Sequence, residues 1–121
     1  MNVIVRERNG ERFAEGMQGT PLVRGVEDIT TLIEVCLTHT LHRLLLYPEN
    51  LTENFFDLSS REAGIILQRL RNYHIRLAIV RSPALQLSSR FGELLEDEKH
   101  GPYFRLFDKR STAQAWLCTD R

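Results

Sequence analysis

The chain has 121 residues, of which 42% are hydrophobic and 26% charged. This is the make-up of one ordinary globular domain, able to bury roughly two-thirds of its unfolded surface. Lys+Arg 16 balances Asp+Glu 16, so no net field draws it to nucleic acid or an anionic membrane, and neither partner is expected. No apolar run approaches the roughly 18 residues of a membrane span, and the start is unlike a secretory leader, so a reducing cytoplasm is the expected compartment.

Residues 1–15 read as a β-hairpin. Val3 and Val5 alternate with polar neighbours, Asn9-Gly10 is a two-residue turn signal, and Phe13 continues the return strand. Residues 16–25 carry Gly16, Gly19, Pro21 and Gly25 and read as a loop. Ile29, Leu32, Ile33, Cys36 and Leu37 then recur at helical steps, predicting a helix over 26–38 with Glu27 and Asp28 at its positive end. Leu44, Leu45, Leu46 and Tyr47, stopped by Pro48, read as a short buried strand.

A polar loop follows and ends in Phe55-Phe56-Asp57-Leu58. Ser59 with Glu62 three residues on is a capping-box pattern opening a second helix. Ala63, Ile66, Leu67, Leu70 and Tyr73 form its expected buried face, and Gly64 inside it suggests a close backbone neighbour. Residues 75–80 give the clearest buried strand, ended by Arg81-Ser82-Pro83. Ser88 or Ser89 caps a third helix to about Lys99, with Phe91, Leu94 and Leu95 inward and Gly101 as its stop. Residues 103–107 alternate as a strand, and Ser111 with Gln114 caps a last helix burying Ala113, Trp116 and Leu117.

Strands alternating with helices imply an α/β fold with a mixed, mostly parallel sheet, the N-terminal hairpin supplying the antiparallel pair, and about four helices. In such sheets ligands favour the carboxyl ends of the parallel strands. Three loops should meet there: 48–60, 81–89 and 107–111. The first is the most polar, and its helix start offers free N–H groups and a positive dipole end, suited to a phosphate, a carboxylate or a phosphorylated serine. The candidate turn is therefore Asp57, Ser59 and Ser60, with Asn50 and Arg81 as neighbouring polar groups. The plain alternative is that Ser59 only caps the helix.

Other constellations are weaker. His39-x-x-His42 has no Cys, Asp or Glu beside it in a metal spacing, so no metal site is expected. Cys36 sits on an apolar stripe, which suits burial better than nucleophilic work. His74 and His100 look like helix-end residues. There is no glycine-rich phosphate loop, nucleophile elbow or zinc spacing, so no catalytic residue and no cofactor is assigned.

The run PENLTENFFDL, then AG-x-ILQ-x-L-x-NY from Ala63 to Tyr73, then RLAIV from Arg76 to Val80, resembles the bacterial proteins grouped as domain of unknown function 4180. The likeness extends from the hairpin to the final Ala-x-x-Trp-Leu helix and is most specific in its central part. That family typically shows a Thr-Gly pair after the Phe-Phe-Asp-Leu element, where this chain has Ser60 and Arg61. It carries no agreed activity. More distantly, the element order and the Asp-x-Ser-Ser turn resemble the STAS domain of anti-sigma-factor antagonists, whose switch is a phosphorylated serine at that turn. The resemblance makes Ser59 or Ser60 the acceptor and Asp57 its neighbour.

Two readings result. The first is a non-enzymatic regulatory or interaction domain that binds a protein partner through the turn at Asp57 to Ser60 and the following helix. The second is an enzyme or anionic-ligand binder using Asn50, Asp57 and Arg81 at the same edge. A homodimer formed through a sheet edge or helix face is a third option.

Overall fold

A computed structural model describes residues 3–51, 53–56, 61–82, 85, 87, 89–98 and 101–118, with only the backbone of Glu53, Asn54 and Arg90. Its strands are β1 (Val3–Arg8), β2 (Glu11–Gly16), β3 (Arg43–Leu46), β4 (Arg76–Val80) and β5 (Phe104–Phe107). Its helices are α1 (Val26–Thr38), the single turn α2 (Glu53–Phe56), α3 (Glu62–Asn72), α4 (Ser89–Glu98) and α5 (Arg110–Leu117). The strands form one five-stranded sheet in the order β1-β2-β3-β4-β5. The β1–β2 pair is antiparallel and the other three pairings are parallel. This is the mixed α/β sheet expected from the sequence.

The hairpin turns at Asn9 (φ 54) and Gly10 (φ 81), the left-handed geometry that an Asn-Gly pair supplies at little cost. Each parallel crossover then steps one strand further in the same direction. Because such crossovers are right-handed, all three deposit their helices on one face. The larger core accordingly joins α1, α2, α3 and α4 to Ala14, Leu44, Leu46, Leu77, Ile79 and Phe104. Among the described residues α5 alone covers the opposite face, where Ala113 and Leu117 meet Phe13, Leu45, Tyr47 and Ala78. Alternate strand residues thus serve two cores, as the period of a strand requires.

Phe55 and Phe56, whose exposure was open in the sequence, are buried. Their rings lie 5.1 Å apart and edge-on, and Phe91 of α4 joins them at 5.8 Å and 5.5 Å. The loop after β3 is therefore anchored by aromatic packing.

Helices α1 and α3 end alike. Leu41 N–H donates to the Cys36 carbonyl at 2.7 Å, and Ile75 N–H donates to that of Leu70 at 2.9 Å. The residues before them, Thr40 (φ 55) and His74 (φ 57), take the left-handed position usually held by glycine.

Four local expectations are corrected. Helix α3 starts at Glu62 with Arg61 (φ 66) as its N-cap, so Ser59 is not at that position. Tyr73 is 49% exposed, because it follows the last helical residue as C-cap and leaves the buried stripe. A Cβ on Gly64 would meet nothing within 4 Å, so no close neighbour explains that glycine. Helix α5 starts at Arg110 after Lys109, which gives no side-chain cap, so Ser111 lies inside the helix.

Candidate functional site

The carboxyl edge of the sheet gathers the ends of β2, β3, β4 and β5, and two polar clusters are built there. The first centres on Asn50, in the 3-10 turn Pro48–Asn50 and fully buried. Its Oδ1 accepts from Tyr47 N–H at 2.8 Å, while Nδ2 donates to the carbonyls of Met17 (2.8 Å) and Thr20 (2.7 Å). Its own carbonyl accepts from Leu22 N–H (3.1 Å) and Val23 N–H (2.8 Å). One asparagine thus satisfies backbone groups of two loops, and those that are fully buried would otherwise cost about 1–3 kcal/mol each. Gly16 makes room for it, since a Cβ there would stand 2.5 Å from Asn50 Oδ1.

The second cluster centres on Glu15, a carboxylate only 5% exposed. Oε2 accepts from Tyr47 Oη at 2.6 Å and Arg110 Nε at 2.9 Å. Oε1 accepts from Arg110 Nη2 at 2.7 Å and Arg6 Nε at 3.2 Å. Burial by itself would raise the Glu15 pKa, but the hydrogen bonds from Arg110 and Tyr47 outweigh it and hold it below the usual carboxylate value. Burial first, and then the Glu15 hydrogen bond, push the Tyr47 phenol up to about 12. The cluster bolts the first residue of α5 to the end of β2. The one local signal for it is that Glu15 lies two residues after Phe13 and so shares its buried face.

Arg81 follows β4, with Nε 3.8 Å from Asp108 Oδ1 and its N–H donating to the Phe107 carbonyl at 2.8 Å. It lines a depression of about 260 Å³ with Leu95, Glu96, Arg105, Leu106 and Asp108. Asp57, Ser59 and Ser60 lie outside the described residues. The structure therefore places Asn50 and Arg81 at the expected edge, in separate surroundings. Phe55, Phe56 and Tyr47 are all buried.

Cys36 is fully buried, and loss of solvation pushes its thiol up to about 11. His42 Nδ1 lies 3.3 Å from the Tyr73 carbonyl. Among the described residues no group of three His, Cys, Asp or Glu could hold a metal ion, and no helix is long and apolar enough to cross a membrane.

A second feature lies on the helical layer. Between α1 and α3 a cleft of about 300 Å³ is lined by Thr30, Ile33, Glu34, Leu37, Arg69, Asn72 and Tyr73. Leu37 and Ile65 are 37% and 42% exposed, so with Tyr73 they place three large apolar side chains on this helix pair in solvent. Arg69 Nη1 donates to Thr30 Oγ1 at 3.2 Å across the cleft.

The family model described as "Domain of unknown function (DUF4180)" matches residues 8–117. The chain belongs to the DUF4180 family. The match runs from the end of β1 to the end of α5, so it takes in the Asn50 cluster, the Glu15 cluster apart from Arg6, and the α1–α3 cleft of this DUF4180 chain. No curated protein and no solved structure matches the chain.

Proposed function

We propose that this DUF4180 chain is a non-enzymatic regulatory or interaction domain that offers the α1–α3 face, with the turn leading into α3, to a protein partner. The observation that carries it is the exposure of Leu37 and Tyr73, both lining the cleft between the two helices, with Ile65 exposed one turn before the cleft residue Arg69 on α3. Grouped apolar exposure rimmed by polar side chains is the mark of an interaction surface. Glu34 and Arg69 supply opposite charges at the cleft, and a groove between helices suits an amphipathic helix of the partner. By contrast, Asn50 and Glu15 are engaged in holding backbone and helix in place.

The regulatory half of the proposal rests on sequence. Ser59 and Ser60 immediately precede Arg61 and α3, where a phosphate would add roughly two negative charges at a positive helix end. Asp57 would neighbour it, as the STAS resemblance implies. The test is quantitative capture from a lysate of the producing cell, comparing the wild type with Ile65→Asp and Tyr73→Ala. A partner retained by the wild type and lost from both variants supports the proposal, while identical captures remove the α3 face from it. Incubation with ATP and lysate, followed by mass spectrometry, tests the switch. Phosphate found only away from Ser59 and Ser60 would sink it.

The depression at Arg81 favours a second reading, an anionic small molecule held there at the sheet edge. Glu96 and Asp108 in the same lining oppose an anion, which is why it stands second. Titration with phosphate or citrate followed by calorimetry, against Arg81→Ala, separates the two.

A further inference from the structure

Strand β1 ends the sheet, with β2 its partner in the strand order. Proteins blunt such edges with charged side chains, above all lysine, with proline, with bulges, or with inward-pointing charges that a new strand would bury. β1 carries neither lysine nor proline, and its pairing with β2 runs unbroken from Val3↔Gly16 to Arg8↔Glu11, so no bulge interrupts it. Two of its three charges already have partners within the chain, Arg6 on Glu15 at 3.2 Å and Arg8 on the Ser111 carbonyl at 2.9 Å, so a strand paired here would not leave them without partners. Ile4 (37%) and Val5 (43%) stand exposed on opposite faces of the strand. The other edge, β5, has four residues and packs against both α4 and α5.

We propose that two copies of this chain pair through β1 as antiparallel strands, joining their sheets into one. The register follows from the hairpin. A two-residue turn makes Arg8 and Glu11 a hydrogen-bonded pair, so Arg8, Arg6 and Ile4 bond inward to β2. The backbone N–H and C=O groups of Val3, Val5 and Glu7 therefore point out of the sheet. A two-fold axis perpendicular to the sheet keeps the two faces matched across the join. Centred on Val5, it pairs Val5 with the partner's Val5 and Val3 with the partner's Glu7. These narrow pairs give about six backbone hydrogen bonds in all. Ile4 then lies against the aliphatic stem of the partner's Arg6. Centred on Arg6, it would set two arginines directly opposite each other, which is unfavourable. Centred on Ile4, it would pair fewer of the described strand residues. A second copy satisfies the outward backbone groups of this edge, and it uses a surface separate from the α1–α3 face.

The test is disulfide trapping in a Cys118→Ser background, Cys36 being buried. The Val5 register puts Ile4 and the partner's Arg6 in a non-hydrogen-bonded pair with Cα atoms about 4.5 Å apart, a span a disulfide fits. Ile4→Cys chains mixed with Arg6→Cys chains should give a linked dimer under mild oxidation, and neither should alone. Sedimentation of the wild type should give twice the chain mass. Val5→Pro and Val5→Lys should both return the monomer, since the Val5 N–H is not used by the hairpin. A wild type that sediments as a monomer at the concentration used for trapping overturns the proposal. A link between two Ile4→Cys copies, with none in the mixture, overturns the register.

Discussion

The phenolic oxygen of Tyr47 stands 2.6 Å from Oε2 of Glu15, joining the residue after β3 to the end of β2 through a buried carboxylate. Arg110 grips the same carboxylate with two nitrogens at 2.7 Å and 2.9 Å, so α5 starts where this contact holds it. The Glu15 pKa is lowered in the folded state. Its stabilising effect is therefore fully present above the unfolded value of about 4.3, and is lost as pH falls through the folded value. Glu15→Gln should cost about 2 kcal/mol at neutral pH, with the gap to wild type closing in acid. Urea unfolding from neutral to acid pH measures it, and a gap that stays constant contradicts the assignment.

Tyr47 gives the alkaline counterpart. Its phenol keeps its proton to about pH 12 when folded, whereas the unfolded chain loses it near pH 10. Folding stability should thus fall by about 1.4 kcal/mol per pH unit between those values from this group alone. Tyr47→Phe removes that part of the slope, at the expense of about 1 kcal/mol at pH 7. An alkaline limb with the same slope in both proteins would show that neither burial nor Glu15 raises the phenol's pKa.

Four backbone positions give predictions of opposite sign. Gly64 is solvent-facing in mid-helix with nothing near its Cβ position, so Gly64→Ala should stabilise by about 1 kcal/mol. Arg61 (φ 66) and Thr40 (φ 55) hold left-handed conformations that disfavour L side chains. After the entropy of the unfolded glycine is allowed for, Arg61→Gly and Thr40→Gly should each gain about 0.5–1 kcal/mol. Gly16→Ala should lose about 2 kcal/mol or more, because it drives Asn50 out of a buried network. Thermal unfolding of the four variants reads all of these signs.

The other end of α5 is held by arginines. Arg76 donates to the carbonyls of Trp116 (2.9 Å) and Leu117 (3.1 Å) and lies 4.2 Å above the Trp116 ring, while Arg43 Nε donates to Leu117 O at 2.8 Å. A lysine cannot reproduce a planar fork that both stacks and bonds two carbonyls. Arg76→Lys should cost about 1–2 kcal/mol and alter the Trp116 fluorescence. Unchanged emission and stability would contradict this capping role.

What the sequence made legible follows the strength of local signals. The Asn9-Gly10 turn, the Ile29-to-Cys36 stripe and the 75–80 strand each impose one period, and each appears where expected. Tyr73 and the start of α3 depart from expectation because helix ends are decided by one residue's φ and ψ, which periodicity does not report. Glu15 was missed for a different reason. Its partners Tyr47 and Arg110 lie 32 and 95 residues away, and only the folded sheet brings them together. Asn50 was legible as a polar residue of the right loop, but its engagement with Met17 and Thr20 depends on the same assembly.

The central claim, that the α1–α3 face receives a protein partner, is tested most directly by placing a photo-cross-linking amino acid at Ile65 or Tyr73 in the living cell. Thr112, exposed on α5 across the sheet, serves as the control position. The account predicts covalent adducts with a different protein from Ile65 and Tyr73 and none from Thr112. The absence of adducts at both α3-face positions, or adducts arising from Thr112 alone, would contradict it.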